Sequence, residues 1–168
     1  MLKALGIVER GLSRAEQFGN RVLEPVLLWT GSIVAHYRSD RELGRDYTNR
    51  LTLSQDAFLI QRIPSAMTQM HSAAMNKDFP AAVRFGRSLY EMGRLVDIGQ
   101  PGFWPWEDIW AQQLLHAGDA ALAEDVTSRA EERAAGSDIF AGFPMYKYMK
   151  IHVTPLAKHP NSTDAVAY

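Results

Sequence analysis

Apolar residues along this chain recur at the helical spacing of about 3.6 residues, and no stretch alternates apolar and polar positions as a half-buried strand does. Over residues 1–20, apolar side chains return every three or four positions with basic residues between them. This pattern predicts an all-α protein that begins with an amphipathic helix. Glutamates interrupt the helix, and targeting sequences are poor in acidic residues, so we expect it to belong to the mature protein.

The second predicted helix, over residues 21–44, is apolar on every side. Residues 25–37 carry no formal charge, and a helix without a polar face is buried either in protein or in lipid. Tyr37 and Arg38 at its end, and the small pair Gly31 and Ala35, favour a single membrane-spanning helix that packs closely on another helix. A span needs about 20 apolar residues. The run is shorter, so the core helix of a soluble bundle is the alternative.

Residues 49–136 predict a domain of two antiparallel helical hairpins. Asp78 and Asp119 each follow a short turn and are placed to cap the helix that comes next. Small residues after each turn let the paired helices lie close together. Residues 75–82 (MNKDFPAA) and 115–123 (LHAGDAALA) resemble the turns of tetratricopeptide-type helical hairpins. The resemblance implies an adaptor that binds a peptide or a partner helix.

The loop between the hairpins and the C-terminal segment are rich in aromatic residues. Trp is enriched among binding hot spots, so the loop aromatics predict an interface; the alternative is that they cover the hairpin core. Helical spacing fades after Gly136, and residues 137–168 predict an extended arm that covers a neighbouring subunit. The candidate interaction residues are Trp29, Gly31, Ala35, Tyr37, Phe103, Trp104, Trp106, Trp110, Phe143, Tyr146 and Tyr148.

Charge and composition predict no catalytic, metal or cofactor site. The formal net charge is -1, and without a basic stripe a nucleic-acid partner is not expected. The chain has no cysteine, which excludes disulfides and thiolate zinc sites. No two of its five histidines have metal-site spacing, and no phosphate-binding loop or nucleophile motif occurs. The neighbouring acids Glu107 and Asp108 are interpreted as solvated helix positions.

The layout as a whole resembles that of supernumerary (accessory) subunits of mitochondrial respiratory complexes or ATP synthase. It combines an amphipathic helix, a short apolar helix with a basic exit, a helical domain and an arm. The resemblance implies a non-catalytic subunit of a large complex in the mitochondrial inner membrane. Its partners would be other protein subunits of that hetero-oligomeric complex and membrane lipid. The alternative is a soluble adaptor of the cytoplasm or matrix.

Overall fold

A computed structural model describes residues 2–51, 53, 57–93, 106–135 and 153–158. These residues form helices without a strand, which confirms the predicted all-α class. The helices are α1 (Leu2–Gln17), α2 (Glu24–Tyr37), α3 (Arg41–Asn49), α4 (Leu59–Met75), α5 (Phe79–Gly93), α6 (Glu107–His116), α7 (Ala120–Ala135) and α8 (Thr154–Lys158). The chain divides into two compact units, Met1–Met92 and Gly93–Tyr168, and each is described by itself.

The predicted helix over residues 21–44 is divided in the structure between α2 and the start of α3. The backbone turns after Tyr37, with Ser39 at a φ of 55°. Asp40 then starts α3, since its carboxylate accepts a hydrogen bond from the backbone N–H of Leu43 at 3.1 Å. Aspartate is among the strongest residues for beginning a helix in this way, and this local signal ends one helix and begins another.

Helix α2 is the central helix of the first unit, where it packs against α1, α3 and α4. Leu28 lies in an apolar cluster with Val8, Leu12 and Tyr47. The 14 residues of α2 extend about 21 Å, short of the roughly 30 Å of a bilayer's hydrocarbon core. Within the described residues no helix is long and apolar enough to cross a membrane. The predicted membrane span is wrong, because the apolar faces of α2 are covered by other helices of the same chain.

Helices α2 and α4 run parallel to each other. Near their N-terminal ends, the Gln61 Nε2 donates a hydrogen bond to the backbone oxygen of Arg21 at 3.3 Å. Towards their C-terminal ends, the rings of His36 and His71 have centroids 5.2 Å apart. Pro64 lies within α4, and the helix continues past it. Its ring nitrogen has no N–H, so one backbone hydrogen bond of the helix is missing there.

Both predicted helix caps are confirmed. Asp78 accepts a hydrogen bond from the backbone N–H of Ala81 at 3.1 Å at the start of α5. Asp119 does the same for Leu122 at 3.2 Å at the start of α7, after Gly118 turns the chain at a φ of 83°. The tetratricopeptide resemblance itself stays a prediction.

In the second unit, α6 and α7 pack against each other and α8 packs on both. An ion pair of 3.9 Å joins Lys158 of α8 to Glu131 of α7. Helix α8 falls within the segment predicted as an extended arm. The rest of that segment, residues 137–152 and 159–168, lies outside the described residues.

Candidate functional site

The start of α6 gathers four buried side chains that we call the acid–indole cluster: Trp106, Glu107, Trp110 and Gln113. Trp106, Trp110 and Gln113 follow one another at spacings of four and three residues, so they share one face of the helix. The two indole rings are tilted by 33° with centroids 5.7 Å apart. Glu107, the residue that follows Trp106 in the chain, is only 3% exposed, so the start of α6 also contains a buried carboxylate.

Two polar atoms of this cluster are not used within the described part of the chain. The Nε1–H of Trp106 has no hydrogen-bond acceptor there, and the Oε1 of Gln113 has no donor. Leaving a buried polar group unpaired costs about 1–3 kcal/mol. A carbonyl or carboxylate oxygen placed beside the indole N–H would accept a hydrogen bond from it and remove that cost.

Helices α7 and α8 supply two buried hydroxyl groups to the same unit. The hydroxyl of Thr127 donates to the backbone oxygen of Glu124 at 3.0 Å. The hydroxyl of Thr154 is buried with no partner in the residues that the structure describes. The second unit therefore contains three buried polar atoms that its described residues leave unsatisfied.

The first unit contains a different polar feature, formed by His36 of α2 and His71 of α4. Burial, and to a smaller extent the neighbouring His36, lower the pKa of His71 from 6.5 to about 3. Burial also lowers the pKa of His36. Both rings are therefore neutral at pH 7. An imidazole with so low a pKa is a weak base, so the pair is poorly suited to proton abstraction.

Tyr47 lies in a third polar group, which joins α3 to α1. Its hydroxyl donates to the Glu9 carboxylate at 2.7 Å, and Arg50 forms ion pairs with Glu9 at 3.4 Å and with Asp46 at 3.6 Å. Burial raises the pKa of Tyr47, and the hydrogen bond to Glu9 raises it further. The phenol stays protonated and acts as a structural hydrogen-bond donor.

The residues predicted for interaction have different places in the structure. Trp29 and Ala35 are buried in the first unit, and the ring of Tyr47 lies directly against Gly31. Trp106 and Trp110 are brought together in the acid–indole cluster. Phe103, Trp104, Phe143, Tyr146 and Tyr148 lie outside the described residues, as does the side chain of Tyr37.

Sequence reasoning missed the carboxylate of the cluster. Glu107 was interpreted as a solvated position, and its burial contradicts that interpretation. The spacing could have indicated this burial, since Glu107 is three residues before Trp110 and so borders the same helix face. The histidine pair had no such signal, because His36 and His71 are far apart in the sequence. The described residues contain no group of three or more potential metal ligands.

Part of the chain is similar to two curated bacterial enzymes. It is 41% identical over 68 residues to the muconolactone Delta-isomerase of Cupriavidus pinatubonensis. The matched region covers 33% of this chain and 70% of that protein. It is 40% identical over 57 residues to muconolactone Delta-isomerase 1 of Acinetobacter lwoffii, covering 34% of this chain and 53% of the relative. The chain thus spans about half the length of this second relative. No family model matches the chain, and no solved structure matches it.

These findings correct the function predicted from the layout. Both relatives are named as enzymes, so the prediction of a non-catalytic accessory subunit is wrong. The predicted place in the mitochondrial inner membrane is also wrong, because the relatives are bacterial and the described helices include none that could span a membrane. The alternative, an adaptor that needs no membrane helix, agrees better with the helices. Protein partners stay a prediction.

Proposed function

The chain belongs to the muconolactone Delta-isomerase family through about a third of its length, and we propose that it catalyses the shift of a carbon–carbon double bond in an unsaturated lactone. The observation that carries the proposal is the 41% identity to a relative of which 70% is covered. The acid–indole cluster supports it, because its side chains match what such a reaction requires.

A double-bond shift of this kind moves one proton between two carbon atoms. A base removes a proton from the carbon at one end of the three-carbon unit that is conjugated with the carbonyl group, and the electron pair of that C–H bond spreads over the conjugated system to the carbonyl oxygen. The proton then returns to a different carbon, and the electrons settle in the new double bond. The reaction needs a group that takes and returns a proton, and a hydrogen-bond donor for the oxygen that gains charge.

The acid–indole cluster has a side chain for each of these roles. We assign Glu107 as the group that takes the proton and returns it, since an ionised carboxylate has only acceptor sites and becomes a donor once protonated. The indole N–H of Trp106, which has no partner within the described residues, donates to the carbonyl oxygen of the lactone. The rings of Trp106 and Trp110 give the flat lactone apolar surfaces and keep water from the charged intermediate.

The test follows conversion of muconolactone by the purified chain, with ¹H NMR in D₂O to detect deuterium at the carbon that regains the proton. Glu107→Gln keeps the shape of the side chain and removes its basicity, so kcat should fall by about 100- to 10,000-fold. Trp106→Phe keeps an aromatic ring and removes the N–H, and kcat should fall by about 100-fold. Glu132→Gln is the matched control, because it makes the same chemical change at an exposed position of α7.

The outcomes separate the family assignment from the site assignment. Lack of turnover by the folded wild-type chain would reject the proposed activity. Turnover with an unchanged kcat in Glu107→Gln would keep the activity and reject Glu107 as the base. A fall of equal size in Glu132→Gln would show that the effect is not specific to the cluster. Circular dichroism of each variant checks that it is folded.

A further inference from the structure

The histidine pair of the first unit has no part in the proposed isomerase chemistry. His36 is close to the end of α2 and His71 is in the second half of α4, and the parallel packing of these helices brings the two rings together. His71 is 5% exposed, whereas His36 is exposed to solvent. The pair therefore has one ring inside the helix packing and one at its edge.

The buried ring has a nitrogen atom that the described residues leave unused. The Nδ1 of His71 has no hydrogen-bond partner among them. An unprotonated ring nitrogen of this kind is the atom through which histidine binds a metal ion.

We propose that His36 and His71 together bind one divalent transition-metal ion, with water completing its coordination on the exposed side of His36. The ring geometry fits this role. With metal–nitrogen bonds of about 2.0–2.1 Å and a nearly tetrahedral angle, two imidazoles on one ion have centroids about 5 Å apart. The observed separation is 5.2 Å. Imidazole ligands favour ions such as Zn²⁺, Ni²⁺ and Cu²⁺ over Mg²⁺ and Ca²⁺, which prefer oxygen.

The experiment titrates the full chain with Zn²⁺ by isothermal titration calorimetry and repeats the titration with Mg²⁺. The variant is His36→Gln, chosen because the side chain is exposed and its loss leaves the buried ring in place. The matched control is His116→Gln, since His116 is an exposed histidine at the end of α6. A parallel measurement records the ¹⁵N signals of the histidine rings before and after Zn²⁺ is added.

We expect one Zn²⁺ per chain, with affinity reduced by about tenfold or more in His36→Gln and unchanged in His116→Gln. The ring nitrogen signals of both His36 and His71 should shift with Zn²⁺, and Mg²⁺ should give no heat. Three results would each overturn the proposal: no Zn²⁺ binding, equal binding by His36→Gln and the wild type, or a shift of His36 without one of His71. None of them bears on the isomerase activity.

Discussion

Replacing Gly31 by alanine tests whether the close contact between α2 and α3 determines the stability of the first unit. A methyl group built on Gly31 would lie 2.7 Å from Cζ of Tyr47 and 2.8 Å from Cε1 and Cε2 of the same ring. Carbon atoms in ordinary contact are about 3.5–4.0 Å apart. The ring would therefore have to move by about 1 Å.

Tyr47 has little freedom to make that movement. Its side chain is 1% exposed, its hydroxyl is held 2.7 Å from the Glu9 carboxylate, and the Arg50 guanidinium lies over the ring, 5.6 Å from the centroid. Overpacking of this kind costs about 1–3 kcal/mol. Against this loss, alanine stabilises a helix by about 1 kcal/mol relative to glycine. The net expectation is a loss of about 1 kcal/mol in the free energy of unfolding.

Gly6→Ala provides the matched control in the same unit. A methyl group at Gly6 would meet only the Nη1 of Arg10 at 3.3 Å, the end of a flexible side chain. Only the helix preference then remains, so Gly6→Ala should raise the free energy of unfolding by up to about 1 kcal/mol. The two glycine-to-alanine changes should therefore act in opposite directions, with a difference of about 2 kcal/mol.

Urea denaturation followed by circular dichroism measures both variants. Repeating the measurement in a Tyr47→Leu variant tests whether the Tyr47 ring causes the loss of stability. Without the ring, Gly31→Ala should change from destabilising to stabilising. A Gly31→Ala variant that gains as much stability as Gly6→Ala in the wild-type background would refute the close contact. An effect of Gly31→Ala that is the same with and without the Tyr47 ring would also refute it.

Two further predictions concern the buried histidine and the helix caps. The unfolded chain protonates His71 near pH 6.5, and the folded chain only near pH 3. Protonation of His71 therefore leaves the free energy of unfolding unchanged above pH 6.5 and should lower it by about 1.4 kcal/mol per pH unit between pH 6.5 and about pH 3. Urea denaturation at a series of pH values measures this. A free energy of unfolding that does not change with pH in this range would contradict the burial of His71. Asp78→Ala and Asp119→Ala should each lower the free energy of unfolding by about 1 kcal/mol. Asparagine caps a helix about as well as aspartate, so the aspartate-to-asparagine variants should lower it little. Equal losses in the alanine and asparagine variants would contradict the capping role.

Features set by neighbouring residues could be predicted from the sequence. The helical class follows from the apolar spacing, and the caps at Asp78 and Asp119 involve a side chain and a backbone N–H only three residues away. The joint after α1 is local as well, since Gly19 takes a φ of 64° and Asn20 bonds back to Ala15. Such signals act within one turn of helix and do not depend on what packs against it.

What surrounds each helix could not be predicted in this way. An apolar helix has the same sequence pattern whether lipid or protein covers it, and only the packing of α1, α3 and α4 on α2 decided between the two. The resemblance of the layout to subunits of membrane complexes depended on the assumption that lipid covers this helix.

The candidate sites were also decided by tertiary structure. Glu107 has the residue pattern of an exposed helix start, and its burial depends on how the second unit closes around α6. His36 and His71 meet only because α2 and α4 lie parallel and in contact. By itself, the sequence determined the helical class and the helix starts at Asp78 and Asp119, because those signals are local. The environment of each polar side chain was decided by contacts between distant segments, and the chemistry of the sites depends on that environment.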